Sequence, residues 1–167
     1  MGVAGADIVR PLVKLPFVAS FSGEVLAIND DPDDVAARCS ERPAWAVVSF
    51  EGTGEAPDMG TTHVLAEHCS YVGPLPDGTV GPDGTYGEGM LTFTTADGEL
   101  LLGTYTDGLS TSPPPQVGFV DSFTFTGGTG RFDDAAGGGV EAGTVDFSMG
   151  FGPGAAFSVD MEGVIWY

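Results

Sequence analysis

An acidic residue stands inside a run of aromatic residues in the segment GFVDSFTFT. If this segment is a strand, alternation places Asp121 on the same face as Phe119, Phe123 and Phe125. A carboxyl group held among aromatic rings is desolvated, so its pKa rises and it can exchange protons near neutral pH. The pattern therefore predicts Asp121 as a catalytic residue. A carboxylate at the mouth of the fold, paired with Arg131 or with a backbone amide, is the alternative that stays open.

Three further polar residues lie on two segments joined by the turn sequence Ala-Asp-Gly. These segments, residues 86–95 and 99–106, are predicted to pair as a hairpin. Pairing can bring Tyr105 and Glu88 to the cavity of Asp121 as catalytic groups, with Tyr86 as a ligand contact. A single β-bulge moves every following side chain of a strand to the other face. An outward orientation of Tyr86, Glu88 and Tyr105 therefore also stays open.

Apolar residues on the remaining strands supply the other predicted ligand contacts. The chain has 11 phenylalanines, 5 methionines and 2 tryptophans, enough to line an apolar lumen. The segment 143–151 is predicted as a strand with Phe147 and Met149 on one face, and Met161 faces inward from the segment 156–167. The predicted ligand-binding set is Phe119, Phe123, Phe125, Tyr86, Phe147, Met149 and Met161.

Signatures of metal, phosphate and cofactor sites are missing from the sequence. On an extended strand His63 and Glu67 share a face while His68 takes the other, so we expect partly exposed histidines and no metal site. Around Asp31 the acidic run lacks the spacing of a calcium loop. The GGTGR segment ending at Arg131 is followed by no helix pattern, and no G-x-S-x-G elbow, dinucleotide fingerprint or Walker loop occurs. We therefore expect no cofactor.

The elements that must position these residues are short strands separated by turns. With 27 glycines and 12 prolines, the composition disfavours helices. A helical turn is expected after Asp31, with Pro32 at its first position. The pattern predicts one all-β domain over residues 1–167, an eight-stranded antiparallel β-barrel with at most one short helical turn. A 1–14 N-terminal extension and an acidic 29–42 loop accompany the barrel, and a sandwich is the other way to protect the strand edges. The predicted strands are 15–28, 45–52, 61–72, 86–95, 99–106, 119–126, 143–151 and 156–167.

Charge and cysteine content restrict partners and compartment. The formal net charge of −19 makes nucleic acid a poor partner. The sequence contains no run of 18 apolar residues, so we expect no membrane insertion. Residues 1–14 contain no signal-peptide apolar core, so we expect a cytosolic chain or a mature form without its leader. Cys39 and Cys69 are candidates for a disulfide, which would indicate secretion, or for buried free thiols.

The segment TFTGGTGRF at 124–132 follows DGELLLGTYTDG, and FEGTGEAPDMGTTHVLAEHC lies upstream. These motifs resemble bacterial barrel proteins of the allene oxide cyclase and dirigent-like superfamily, over roughly residues 45–167. The resemblance implies an eight-stranded barrel with an apolar lumen, often a homodimer or homotrimer, whose relatives include cyclases of natural-product biosynthesis. Asp133 and Asp134 stand where small or apolar residues are usual, and no matched motif carries a catalytic residue.

Two functions of different classes follow from these observations. The first is a cofactor-independent cyclase or isomerase that encloses an apolar, natural-product-like or lipid-like small molecule in the barrel. The alternative is a non-catalytic secreted barrel that binds a lipophilic ligand or acts as an oligomerisation module. The sequence leaves open whether the protein is an enzyme.

Overall fold

The chain folds into a closed antiparallel β-barrel. The computed structural model describes residues 12–167, so most of the predicted N-terminal extension, residues 1–11, lies outside the described residues. Each strand pairs with its neighbours in sequence, and β1 closes the ring on β8, with Lys14 opposite Trp166 and Glu24 opposite Ala156. This confirms the predicted eight-stranded barrel. Its elements are β1 (Lys14–Asn29), α1 (Pro32–Arg38), β2 (Ala44–Ala56), β3 (Gly60–Pro74), β4 (Val80–Thr95), β5 (Leu100–Ser110), β6 (Gln116–Gly128), the 3-10 helix η1 (Gly130–Phe132), β7 (Ala136–Asp146) and β8 (Ala156–Trp166).

Glycines inside strands let neighbouring backbones approach closely where the small barrel bends. Gly23 lies opposite Gly52, and Gly139 lies opposite Gly163. A Cβ atom at Gly139 would overlap the backbone carbonyl of Glu162. Strand glycine is unfavourable in a flat sheet, but here the curvature requires it.

The helix α1 begins as the sequence predicts and is tied to the barrel wall. The Asp31 side chain caps it by accepting hydrogen bonds from the backbone amides of Asp33 and Asp34, at 3.0 and 3.2 Å. Just after the helix, Cys39 forms a disulfide with Cys69 of β3, with 5.8 Å between the Cα atoms. The bond is compatible with an oxidising compartment. Within residues 12–167 no helix is long and apolar enough to cross a membrane.

Aromatic packing fills one half of the barrel. The rings of Phe17, Phe93, Phe123 and Phe125 contact one another, and the Phe17 and Phe125 centroids are 4.9 Å apart. Buried Phe132, from η1, also belongs to this core. This end therefore holds the barrel together, and any ligand space must lie toward the other end.

The predicted boundaries of the seventh strand were wrong. β7 covers Ala136–Asp146, and the segment 147–155 is a loop rather than the end of a strand. Three successive glycines at 137–139 indicate a turn by composition, yet they lie within the strand because neighbouring backbones pass close to them. Consequently Met149, a predicted ligand contact, is 97% exposed on the loop.

Candidate functional site

A cavity of about 850 Å³ occupies the half of the barrel opposite the packed end. It opens between the end of β1, the start of β4, the β5–β6 connection and the loop 147–155. Its walls are predominantly apolar and aromatic, which is typical of a site for a drug-sized ligand. The phenylalanine and tryptophan residues that line it are Phe21, Trp45, Phe50, Phe119, Phe147, Phe151 and Phe157.

Two carboxyl groups meet on the wall of this cavity. Asp121 of β6 and Glu141 of β7 are directly opposite in the strand register, and both side chains are buried. The Tyr86 hydroxyl donates a hydrogen bond to Asp121 Oδ2 at 2.6 Å. The other oxygen, Asp121 Oδ1, accepts nothing from any nitrogen or hydroxyl of residues 12–167, and the Glu141 carboxyl is in hydrogen-bonding contact with Asp121.

Burial and mutual repulsion keep a proton on this pair. Burial raises the pKa of Asp121 from 3.8 to about 6, although hydrogen bonds from Tyr86 and Glu141 oppose the rise. Burial, and then the adjacent Asp121 charge, raise the pKa of Glu141 well above its ordinary value. Two close carboxylates cannot both ionise easily, so the second proton is retained near neutral pH. The pair therefore has one acidic and one basic member.

A neutral histidine lies next to the pair. His68 stacks on Tyr86 with 4.3 Å between ring centroids, and its Nδ1 is hydrogen-bonded to the Tyr105 hydroxyl at 3.0 Å. Burial, and then the positive charge of Arg38, lower the pKa of His68 from 6.5 to about 3. The imidazole is therefore uncharged at neutral pH and can serve as a hydrogen-bond partner or a weak base.

No lysine or arginine is among the cavity-lining residues in the described part of the chain. Arg38 lies outside the barrel wall, where it contacts Glu67 at 2.7 Å and the Glu88 carbonyl at 2.6 Å. At the mouth Arg42 pairs with Asp83 at 2.8 Å. Because Arg42 balances Asp83, the carboxyl pair is the lining acidic group that no lysine or arginine balances.

The structure brings most of the predicted site residues together. Asp121, Tyr105, Tyr86, Phe119, Phe147 and Met161 all line the cavity. Phe123 and Phe125 face inward as the alternation predicts, but they belong to the packed half. Arg131 pairs with Glu99 at 3.3 Å, so the alternative in which it neutralises Asp121 does not match the structure.

Glu88 lies outside the cavity, contrary to the expectation for this residue. Its carboxylate accepts hydrogen bonds from the Ser40 backbone amide at 2.8 Å and from the Tyr71 hydroxyl at 3.2 Å. The β3–β4 register shifts by one residue beside His68, and Glu88 has a φ of 50°. This bulge reverses the alternation between Tyr86 and Glu88, so the tyrosine faces inward and the glutamate outward.

Sequence reasoning missed two members of the site. Glu141 lies in a segment that was not predicted as a strand, so nothing assigned it a face. Alternation puts His68 on the strand face opposite to that of His63, as observed. The expectation of partial exposure for His68 was wrong, because the residue is buried. Its spacing from the inward-facing Val64 and Ala66 was the available signal. His63 lies outside, 3.8 Å from Glu51.

Comparison of the chain with protein-family models, with curated proteins and with solved structures finds no match.

Proposed function

We propose that this protein is a cofactor-independent isomerase or cyclase that acts on a small, predominantly apolar molecule held in the barrel cavity. The observation that carries the proposal is the buried carboxyl pair Asp121–Glu141 on the wall of an otherwise apolar cavity. A volume of about 850 Å³ falls within the usual range of small-molecule sites. The proposal agrees with what the resemblance to the allene oxide cyclase and dirigent-like superfamily implies.

The chemistry requires only that the substrate lose a proton at one atom and gain a proton at another. The protonated member of the pair, Glu141, donates its proton as a new C–H or O–H bond forms. Asp121 accepts a proton as a neighbouring C–H bond of the substrate breaks. The electron pair of that C–H bond then shifts the double bond or closes the ring. The pair ends with one proton, as it began, so no oxidant, reductant or cofactor is consumed. Such acid–base assistance contributes roughly 10²- to 10⁴-fold to a rate.

The aromatic walls contribute by restricting the substrate to a reactive shape. Trp45, Phe50 and Phe157 line the same cavity as the pair and present apolar ring surfaces to it. A folded conformation of a flexible apolar molecule is costly in solution, and a cavity that selects it lowers the barrier to ring closure. The low local dielectric also strengthens the hydrogen bonds of the pair.

A model reaction tests the acid–base function without knowledge of the natural substrate. 5-Nitrobenzisoxazole isomerises to a coloured cyanophenol when a base removes its C–H proton. We expect the protein to accelerate this ring opening, with a rate that rises as pH passes through about 6, where Asp121 ionises. The neutral-pair variant, Asp121→Asn/Glu141→Gln, should lose about tenfold or more of the rate.

The matched control makes the same two chemical changes on the outer wall. Asp160→Asn/Glu162→Gln replaces exposed acids of β8 and should leave the rate unchanged. Binding of N-phenyl-1-naphthylamine, an uncharged fluorescent apolar probe, shows that each variant retains its cavity. Probe binding without any acceleration, or acceleration that survives in the neutral-pair variant, would overturn the catalytic proposal.

Binding without catalysis is the second candidate function, and the apolar mouth of the cavity favours it. Phe151 stacks near Trp45, with 6.1 Å between ring centroids, and remains 61% exposed at the rim. A secreted carrier of a lipophilic ligand would use such a rim, and the Cys39–Cys69 disulfide suits that compartment. Probe binding with no turnover is the result that favours this candidate.

Self-association belongs to the same proposal. Val18, Val120 and Val140 are exposed on the outer wall, at 62%, 39% and 59% of their surface. A second copy of the chain would bury them in a homodimer or homotrimer. Light scattering that gives a monomer mass at micromolar concentration would exclude this assembly.

A further inference from the structure

The cavity combines buried acidic groups with aromatic walls and contains no positive charge of its own. The titratable groups that face the carboxyl pair are Tyr86 of β4, Tyr105 of β5 and neutral His68 of β3. Met161 of β8 faces the same space and carries no charge. No protein cation is therefore present in the described lining to balance a negative charge on the pair.

The carboxyl pair also has unused hydrogen-bonding capacity. Asp121 Oδ1 accepts no hydrogen bond from a nitrogen or hydroxyl of the described residues, and the carboxyl group opposite Asp121 is that of Glu141. Asp121 is 4% exposed and Glu141 is 7% exposed. Buried acceptors without donors are costly, and a ligand that brings a donor with a positive charge relieves that cost most effectively.

The aromatic walls suit the same kind of ligand. The faces of aromatic rings attract cations, most strongly where water is excluded. Trp45, Phe50 and Phe119 line the cavity together with the pair. Outside the cavity, the net charge of −19 raises the local concentration of cations and repels anions.

We propose that the natural ligand of this cavity is an apolar molecule carrying one protonated amine, with the nitrogen bound between Asp121 and Glu141. The inference rests on the proposed function in one respect, since it assumes that the cavity binds small molecules. It specifies the class of that molecule. If the protein is an isomerase, its substrate is then an amine rather than a neutral polyene, and a hydrogen of the bound ammonium takes the acid role that the Glu141 proton has with a neutral substrate.

Proton release distinguishes this ligand from a neutral one. Without ligand, the pair holds a proton between its two carboxyl groups. An ammonium group supplies positive charge and hydrogens at the same place, so it displaces that proton. Affinity for an amine therefore rises with pH as the pair ionises, by at most about tenfold per pH unit for one proton released. A neutral ligand gains nothing from this ionisation.

A displacement experiment with two molecules of one shape tests the proposal. 1-Adamantylamine and 1-adamantanol share an apolar body, and the amine has a pKa of about 10, so it stays protonated from pH 5 to 8. Each is titrated against bound N-phenyl-1-naphthylamine. We expect the amine to displace the probe about tenfold or more better than the alcohol at pH 8, and this advantage should shrink toward pH 5.

Variants assign the effect to the carboxyl pair. The neutral-pair variant Asp121→Asn/Glu141→Gln should bind the probe and the alcohol but lose the preference for the amine. The outer-wall control Asp160→Asn/Glu162→Gln should keep the preference, which excludes a general effect of net charge. Equal displacement by amine and alcohol, or a preference retained in the neutral-pair variant, would overturn the inference.

The two proposals fail in different ways in this experiment. If the wild-type protein does not bind the probe at all, the cavity does not take small molecules and the proposed function fails with it. If the probe binds and the alcohol displaces it as well as the amine does, the binding function stands while the amine inference is wrong.

Discussion

Asp121 and Glu141 lie directly across the β6–β7 ladder from each other, and their carboxyl groups meet inside the barrel. Two acids in this position would repel each other if both were ionised, and no protein cation lies between them among the cavity-lining residues described. The arrangement is therefore stable only while the pair holds a proton or a bound cation. Under the proposed function, this otherwise unfavourable pair supplies the acid and the base.

The carboxyl pair should make the protein less stable as pH rises. The pKa of Asp121 is about 6 in the fold against 3.8 ordinarily, so between these values the folded chain holds a proton that the unfolded chain releases. The stabilisation is complete below 3.8 and is lost as pH rises through 6, with a slope of up to about 1.4 kcal/mol per pH unit for each proton. Urea unfolding from pH 4 to 8 measures it. The neutral-pair variant should gain stability relative to wild type toward pH 8, and a constant difference would contradict the assignment.

His68 should have the opposite effect on the acid side. Its pKa of about 3 in the fold lies below 6.5, so between these values the unfolded chain binds a proton that the folded chain excludes. Stability is therefore lost as pH falls from 6.5 toward 3, by up to about 1.4 kcal/mol per pH unit. His68→Gln should reduce this loss in urea unfolding below pH 6. His63→Gln removes the other imidazole, which lies on the outer face, and is the matched control; a loss reduced equally in both variants would contradict the assignment to His68.

The Cys39–Cys69 disulfide should contribute substantially to stability. It closes a loop with a sequence separation of 30 residues, for which chain entropy predicts about 3–4 kcal/mol. Cys39→Ser/Cys69→Ser should lower the free energy of unfolding by that order, and dithiothreitol should have the same effect on wild type but none on the variant. Because both cysteines lie outside the cavity lining, binding of the fluorescent probe should persist below the unfolding transition.

Gly139 should be intolerant of any side chain. Its Cβ position overlaps the Glu162 carbonyl, so Gly139→Ala must push β7 away from β8. We expect the free energy of unfolding to fall by about 1–3 kcal/mol, the usual cost of overpacking. Probe binding should also weaken, because the displaced strand carries Glu141 and so forms part of the cavity wall. Gly81→Ala is the matched control, since its Cβ meets only the end of the Leu75 side chain at 3.1 Å. Thermal melts of both variants compare them, and equal melting temperatures would show that β7 can move.

The alternation of apolar and polar residues predicted most of the fold. A strand period of two placed Phe119, Asp121 and Phe123 on one inward face, and the barrel confirms it. The Asp31 cap followed by Pro32 located α1 because capping depends on neighbouring residues alone. Local patterns of this kind need no knowledge of distant contacts, so sequence reasoning can recover them.

Tertiary structure alone decided the composition of the site. The bulge beside His68 turned Glu88 outward and left Tyr86 inward, and only the β3–β4 register reveals it. Glycines 137–139 became strand because β6 and β8 pass close to them, and this brought Glu141 opposite Asp121. Register and close backbone approach depend on residues far apart in the chain. The sequence therefore determined which face carries the acid, whereas the folded barrel determined that the acid has a partner.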